Sequence, residues 1–276
     1  MLALENYYVK LNGYTQVYKI IFQNTFIMIA DFTTEIKNMF PFHGKSFAVA
    51  RVDLGLLHNK HQKEGNKWSD LFLCPEEKVR FSAFRFAGRQ EEWLGGRISV
   101  KAAHAFLQGQ ENIAWQEIII AAADSGKPFI KNIPDKEPEI FISLSHSGGL
   151  AMGIAAFSAC GIDIQEIRPA VFRVRERFST TTERDILAHS QATATMPAEA
   201  ALSIMWAGKE AVMKTFDLSP LLFFSEINLR NIKSAGTDGV ILEFFCKRDK
   251  ELSSRYCKVF ATIIDNYAFA CNLAGS

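Results

Sequence analysis

The sequence has almost no net charge, no cysteine pair at metal or redox spacing, no long apolar run and no Pro/Gly/Ser-rich linker. Lysine and arginine number 31 against 30 acidic residues, a formal net charge of +1. A general nucleic-acid binder needs a basic surplus to release counterions from phosphates, so that class is excluded apart from a local patch. The five cysteines, Cys74, Cys160, Cys246, Cys257 and Cys271, are odd in number and contain no CxxC. Such spacing argues against a structural zinc site and a disulfide-framed scaffold; buried free thiols in a reducing compartment are expected. The most apolar early stretch, residues 20–30, is broken by Gln23, Asn24 and Thr25. It falls short of the roughly 20 apolar residues that span a bilayer. Residues 1–6 lack a cationic leader followed by an apolar core, so no secretory signal is expected. These absences predict a cytoplasmic chain without a membrane or nucleic-acid partner.

What is present is ordinary globular composition, 48% hydrophobic and 22% charged over 276 residues, with room for one large or two small cores. Gly44-Lys45-Ser46 imitates the end of a P-loop, but that loop needs a glycine five residues before Gly44, where Met39 stands. Residues 1–45 are aromatic and poorly periodic, and are set apart as an N-terminal extension of unknown role. Beyond them, residues 46–54 read as a strand, 76–84 as a helix opened by Pro75, and 90–107 as a longer helix with Leu94, Ile98, Ala102 and Ala105 at helical spacing. Residues 117–121 read as a strand. Residues 139–145 and 150–157 read as a hairpin around Gly148-Gly149, and 160–164 as another strand. Helices follow at 182–189 and 197–216, then strands near 226–229, 240–246, 257–263 and 267–273. Strands in runs favour α+β over a doubly wound parallel sheet. A boundary near residue 159 divides the chain into halves of similar size, 46–159 and 160–276. No internal repeat is visible.

Four segments carry residues suited to chemistry. In Cys160-Gly161-Ile162-Asp163-Ile164-Gln165-Glu166 a strand puts the isoleucines on one face and Asp163 with Gln165 on the other. That pair is either a solvated strand face or an oxygen donor set for a hard cation such as Mg²⁺. In Trp206-Ala207-Gly208-Lys209-Glu210-Ala211-Val212-Met213-Lys214 a helix aligns Trp206, Glu210 and Lys214 on one stripe. Glu210 and Lys214 are either a surface ion pair or a metal ligand and base beside a phosphate clamp. Gly208 marks a close approach or is simply tolerated. Ser145-His146-Ser147-Gly148-Gly149 is either a locally capped hairpin corner or an anion site. It lacks the G-x-S-x-G elbow of a hydrolase. Arg97, Lys101 and His104 form a basic stripe along the longer helix, either a solvated face or a phosphate site.

Taken in order, these pieces resemble the 4′-phosphopantetheinyl transferase superfamily, in its larger single-chain type. The resemblance runs from about residue 73 to 273. It rests on Arg97 and Lys101 after the Glu91-Glu92-Trp93-Leu94 run, Gly126-Lys127-Pro128, the Ser145-His146-Ser147 turn, Gly161-Ile162-Asp163, and Trp206-x-x-Lys209-Glu210-Ala211-x-x-Lys214. It implies a pseudo-dimer of two similar α+β halves with the active site in the cleft between them. It implies Mg²⁺-dependent transfer of the phosphopantetheine arm of coenzyme A to a serine of an apo acyl or peptidyl carrier protein, by a cytoplasmic monomer. Asp163, Glu210 and Lys214 then fall at the catalytic positions, with Asp163, Glu210 and Gln165 around the metal. Arg97, Lys101, Lys127, Ser145, His146 and Lys214 fall at coenzyme A contacts. Gln165 departs from the pattern, since many relatives carry a second carboxylate there. Two other outcomes have distinct chemistry: a coenzyme A-binding protein that has lost catalysis, with Gln165 as its sign, and an unrelated Mg²⁺-dependent phosphodiesterase using Asp163 and Glu210.

Overall fold

The computed structural model describes residues 3–7, 16–22, 25–31, 46–64, 66–110, 113–132, 138–218, 226–236, 239–247 and 255–275. Gly44-Lys45 lies outside them. By contacts the chain divides into two compact units, residues 1–37 with 44–158, and residues 38–43 with 159–276. Among the described residues no helix is long and apolar enough to cross a membrane.

The first unit begins with three strands, β1 (Ala3–Tyr7), β2 (Gln16–Phe22) and β3 (Thr25–Asp31), in the extension that periodicity left unassigned. They join β4 (Phe47–Asp53) as one side of an antiparallel sheet. Four helices follow: α1 (Leu54–Glu64), α2 (Lys67–Phe72), α3 (Pro75–Ser82) and the long α4 (Ala87–Leu107). A small ladder of β5 (Ile120–Ala122) and β6 (Pro128–Ile130) precedes the hairpin of β7 (Phe141–Ser147) and β8 (Leu150–Ala156). The full sheet order is β1-β2-β3-β4-β8-β7. Helix α4 packs against β4, β7 and β8 as well as α1, α2 and α3. It is therefore buried on nearly every side, and Arg97, Lys101 and His104 lie inside, at 7%, 0% and 8% exposure. The solvated-face reading of that basic stripe is corrected here: a helix enclosed by a sheet and by other helices has no wet face to offer.

The second unit holds β9 (Cys160–Glu166), the short α5 (Val171–Val174), a 3₁₀ turn at Arg175–Arg177, α6 (Thr181–His189) and the long α7 (Ala198–Phe216). Strands β10 (Ile227–Ala235), β11 (Gly239–Cys246), β12 (Arg255–Ile264) and β13 (Tyr267–Leu273) complete an antiparallel sheet. Its order, β10-β11-β12-β13-β9, places the last strand beside the first. Helix α7 crosses this sheet, resting chiefly on β9, β13 and β12. It stops at Asp217, which takes the left-handed conformation at φ 54°, while Leu218 N–H donates to the Met213 carbonyl at 3.0 Å. All five cysteines are buried and none forms a disulfide; the Cys246 and Cys257 thiols lie 3.3 Å apart.

One device occurs in both units. In the first, Glu77 sits third in α3 and accepts the Cys74 N–H at 3.1 Å, half of a capping box. The same carboxylate meets the Lys101 ammonium of α4 at 2.6 Å and accepts the Ile120 N–H at the start of β5 at 3.3 Å. In the second, Glu183 sits third in α6 and accepts the Thr180 N–H at 2.8 Å. It meets the Lys209 ammonium of α7 at 2.6 Å and accepts the Leu229 N–H of β10 at 2.8 Å. A short capped helix, a long helix and the following strand are thus tied to one buried carboxylate in each unit.

Close approach of α7 to β9 depends on Gly161. A Cβ there would overlap the Ala211 carbonyl oxygen and lie 2.5 Å from Thr215 Oγ1 and 2.8 Å from the Thr215 nitrogen. Backbone blocks it, so a side chain can be admitted only by moving the helix. Gly208 answers the question its sequence position raised: its Cβ would lie 2.7 Å from Leu242 and 3.1 Å from Phe244, so the core side chains of β11 are what come close. Gly161→Ala is expected to destabilise the protein by about 2–3 kcal/mol, measured by urea unfolding.

Candidate active site

The site is built on two elements, β9 and α7. Alternation along β9 points Gly161, Asp163 and Gln165 toward α7 and turns Ile162 and Ile164 away. Asp163 is buried, at 2% exposure, so it is not part of a solvated strand face. Its Oδ1 accepts from the Lys214 ammonium at 2.7 Å, and that ammonium also donates to the Ile162 carbonyl at 3.0 Å. Its Oδ2 accepts from the Gln165 Nε2 at 2.9 Å. The neighbouring Glu166 faces the other way and pairs with Arg168.

From α7, one stripe brings Trp206, Glu210 and Lys214 to this face. The Trp206 ring packs against Phe178, centroid to centroid 4.7 Å, which holds the stripe at its N-terminal end. Glu210 is half-buried, and its pKa is raised from 4.5 to about 7. Burial is the largest cause and the Asp163 carboxylate the second; Lys214 and the Trp206 indole N–H pull it down. Two carboxylates therefore share one small region with a single ammonium.

Among the described residues no group of three or more His, Cys, Asp or Glu side chains is placed to hold a metal. An all-protein cage is absent there, and what β9 and α7 offer is two carboxylates and an amide. That set suits a hard divalent cation, which keeps waters and takes further oxygens from a phosphate-bearing substrate. Burial and the nearby Asp163 carboxylate, which together lift Glu210, and the Lys214 ammonium already seated on Asp163 mark the region as one that attracts positive charge.

The remaining expected residues lie in the first unit. Arg97 stacks over Trp93 at 4.5 Å, with its Nε 3.7 Å from Glu77 Oε1. Burial lowers its pKa to about 10, which leaves it charged at neutral pH. Lys101 is fully enclosed: its ammonium contacts Glu77 at 2.6 Å and donates to the carbonyls of Phe72 at 2.6 Å and Trp115 at 3.0 Å. All three of its donors are used inside the fold. Lys127 is half-buried in the turn between β5 and β6, following Gly126 at φ 89°. Ser145 is buried near the end of β7, and the half-buried His146 places Nδ1 3.8 Å from Glu92 Oε2. Sequence reasoning missed Glu77 and Glu183. The Thr180-x-x-Glu183 spacing is a capping-box signature and was the available signal for the second.

Comparison with known proteins defines the class. Residues 159–271 match the model of the 4′-phosphopantetheinyl transferase superfamily. A holo-[acyl-carrier-protein] synthase of Streptococcus uberis is 34% identical over 91 residues, 32% of this chain and 75% of that protein. The 4′-phosphopantetheinyl transferase psf-1 of Bacillus pumilus is 26% identical over 170 residues, 60% of this chain and 67% of that one. A crystal structure of a holo-(acyl-carrier-protein) synthase from Bacillus anthracis, in complex with CoA (3′,5′-ADP), matches 40% of this chain and 93% of its own at 22% identity and TM-score 0.35. The chain belongs to the 4′-phosphopantetheinyl transferase superfamily.

The raised pKa of Glu210 carries a stability consequence. Its folded value lies above the unfolded value, so its contribution to stability is fully present below pH 4.5 and is lost as pH rises through about 7. Removing the charge should relieve that loss. Without added divalent cation, Glu210→Gln is expected to raise the melting temperature at pH 8, by up to about 3 kcal/mol of stability, with little change near pH 4.5. Thermal unfolding followed across that range checks it.

Proposed function

We propose that this chain is a cytoplasmic, monomeric enzyme that transfers the 4′-phosphopantetheine arm of coenzyme A to a serine hydroxyl of an apo acyl or peptidyl carrier protein. The by-product is adenosine 3′,5′-bisphosphate. The observation that carries this reading is the cluster of Asp163, Glu210 and Lys214 on β9 and α7, inside the segment that matches the superfamily.

In the transfer, the serine Oγ forms a bond to the β-phosphorus of coenzyme A as the bond from that phosphorus to the bridging oxygen breaks. The nucleoside bisphosphate leaves with the electron pair. Most of the acceleration in such a step comes from placing the reactants in line and neutralising charge. Asp163, Glu210 and the Gln165 amide oxygen would hold the cation, and Mg²⁺ is the expected ion. Bound there, it supplies charge neutralisation to the phosphate oxygens. Lys214 adds a positive charge on the same face, so the leaving bisphosphate is met by a fixed ammonium. Glu210 receives the serine proton on its carboxylate, directly or through a water. A loose transition state does not require a strong base, so an ordinary carboxylate suffices for that step. In the first unit, Arg97, Lys127, Ser145 and His146 are the proposed coenzyme A contacts. Lys101 is left out, because its donors are already used by Glu77 and two carbonyls.

The carrier is proposed to dock beside α5. Arg173, Arg175 and Arg177 are exposed there, next to a groove of about 340 Å³ lined by Phe172, Arg175, Arg184, Leu187, Met196 and Leu202 among others. An apolar floor with cationic edges suits an acidic helical partner.

The test is a mass shift. Incubation with coenzyme A, Mg²⁺ and an apo carrier should add one phosphopantetheine to the carrier. Coenzyme A binding without that shift would indicate a binding protein, and cleavage of coenzyme A without carrier a phosphodiesterase. Asp163→Ala and Glu210→Ala should abolish transfer with the fold intact by circular dichroism, and Lys214→Ala should lower kcat by about 10²-fold. Gln165→Glu should tighten divalent-cation binding in calorimetric titration, by replacing an amide with a carboxylate. Unchanged or weaker binding would place Gln165 outside the cation site.

A further inference from the structure

We propose that the buried Glu183–Lys209 ion pair is a positioning device that sets the rotation of α7 about its own axis, and with it the aim of Glu210 and Lys214 at Asp163. The inference rests on the functional reading above and adds two residues to it that touch no reacting atom.

Lys209 immediately precedes Glu210, so the two side chains leave the helix roughly 100° apart. One faces the interior and the other faces β9. The Lys209 side chain is fully buried, and its ammonium lies 2.6 Å from Glu183 Oε1. Glu183, at 2% exposure, is held in turn from two other elements: the Leu229 N–H of β10 at 2.8 Å on Oε1, and the Thr180 N–H at 2.8 Å and Oγ1 at 3.1 Å on Oε2. The carboxylate cannot follow the lysine if the helix turns.

Energetics favour a geometric role. A buried ion pair is usually matched or bettered in stability by a well-packed neutral pair of the same volume. Apolar contacts under α7, such as Gly208 on Leu242 and Phe244, resist separation but tolerate slip. The ion pair resists slip, because a turn of the helix would draw the buried ammonium away from a carboxylate that other contacts hold in place, and separating buried opposite charges is costly. A carboxylate roughly 6 Å from the helix axis moves by about 1 Å for a turn of about 10°, and a misplacement of about 1 Å at a reacting centre can cost about 10²-fold in rate.

The first unit makes the same argument with a different cargo. There Glu77 ties down Lys101, the residue after the lysine is Ala102, and no acid is aimed anywhere. What that carboxylate has beside it is Arg97, at 3.7 Å. The device in each unit thus stands next to a charged residue of the proposed site.

The experiment replaces the pair by neutral isosteres, Glu183→Gln with Lys209→Met, in the full chain. Val240→Ala, a core truncation in β11, supplies the relation between lost stability and lost activity. Melting temperature, coenzyme A affinity by calorimetry, kcat and KM with an apo carrier, and a crystal structure of the double variant are measured. The expected result is a melting temperature near wild type, coenzyme A affinity within about threefold, kcat lower by at least about tenfold, and Glu210 displaced from Asp163. A kcat within twofold of wild type overturns the proposal. So does a loss of kcat no greater than Val240→Ala shows for the same loss of melting temperature. If the double variant does not fold, Glu183→Gln alone is judged by the same comparison. Should wild type itself give no mass shift, the functional reading fails, and the crystal structure still decides: a displaced Glu210 supports the positioning role, and a superimposable one overturns it.

Discussion

A helix can share a carboxylate with a strand only where the strand lets the helix backbone come close. Gly161 provides that opening in the second unit. With no Cβ at this position, the Ala211–Thr215 turn of α7 settles onto β9, and the side chain two residues along the strand, Asp163, comes within hydrogen-bonding reach of Lys214. Everything proposed for the site follows from that approach. If the helix stood one methyl group further off, Lys214 would lose its contacts with Asp163 and the Ile162 carbonyl together. Gly-x-Asp on the strand and Glu-x-x-x-Lys on the helix are therefore one structural unit, with the glycine serving the packing and the charged residues the chemistry.

The electrostatics of this unit are deliberately incomplete. A lysine and an aspartate form a balanced pair, and most folds would stop there. Glu210 adds a second negative charge in a half-buried place, and the cost appears as its raised pKa. Natural proteins tolerate such a cost where an external charge later relieves it. A divalent cation, were it bound by the two acids as proposed, would do so by bringing positive charge to both. The buried Glu183–Lys209 pair is the complement of this arrangement: one positive and one negative charge meet at 2.6 Å inside the fold, with no second acid beside them among the described residues.

Much of this was legible in the residues because local patterns carry it. The strand at 160–166 and the helix at 198–216 follow from alternation and from helical spacing, and the stripe of Trp206, Glu210 and Lys214 is a matter of counting. Burial was not legible. Arg97, Lys101 and His104 read as either a solvated face or a phosphate site because sequence does not show what covers a helix, whereas α4 is covered by the sheet and by α1 to α3. The three strands of residues 3–31 were not assigned because their aromatic, poorly periodic residues give no clear alternation; they are defined by pairing β1 with β2, β2 with β3, and β3 with β4. Glu183 was missed because a capping glutamate and an ion-pair glutamate look identical in a string of letters.

The repeated device also bears on how two units with no visible sequence repeat can share one local arrangement. Identity between Cys74-x-x-Glu77 and Thr180-x-x-Glu183 is one residue, yet each glutamate receives the same three partners: its own cap, a buried lysine on a long helix, and a backbone N–H of the next strand. These are the contacts a buried carboxylate cannot lose without leaving a charge unpaired, at a cost of several kcal/mol. Surface positions and apolar packing can drift while such a node stays fixed. The position after the lysine is free of that constraint, and there the units differ: Glu210 in the second, Ala102 in the first. Beside the same local node, the second unit carries Glu210 near Asp163 and the first carries Arg97 against Glu77.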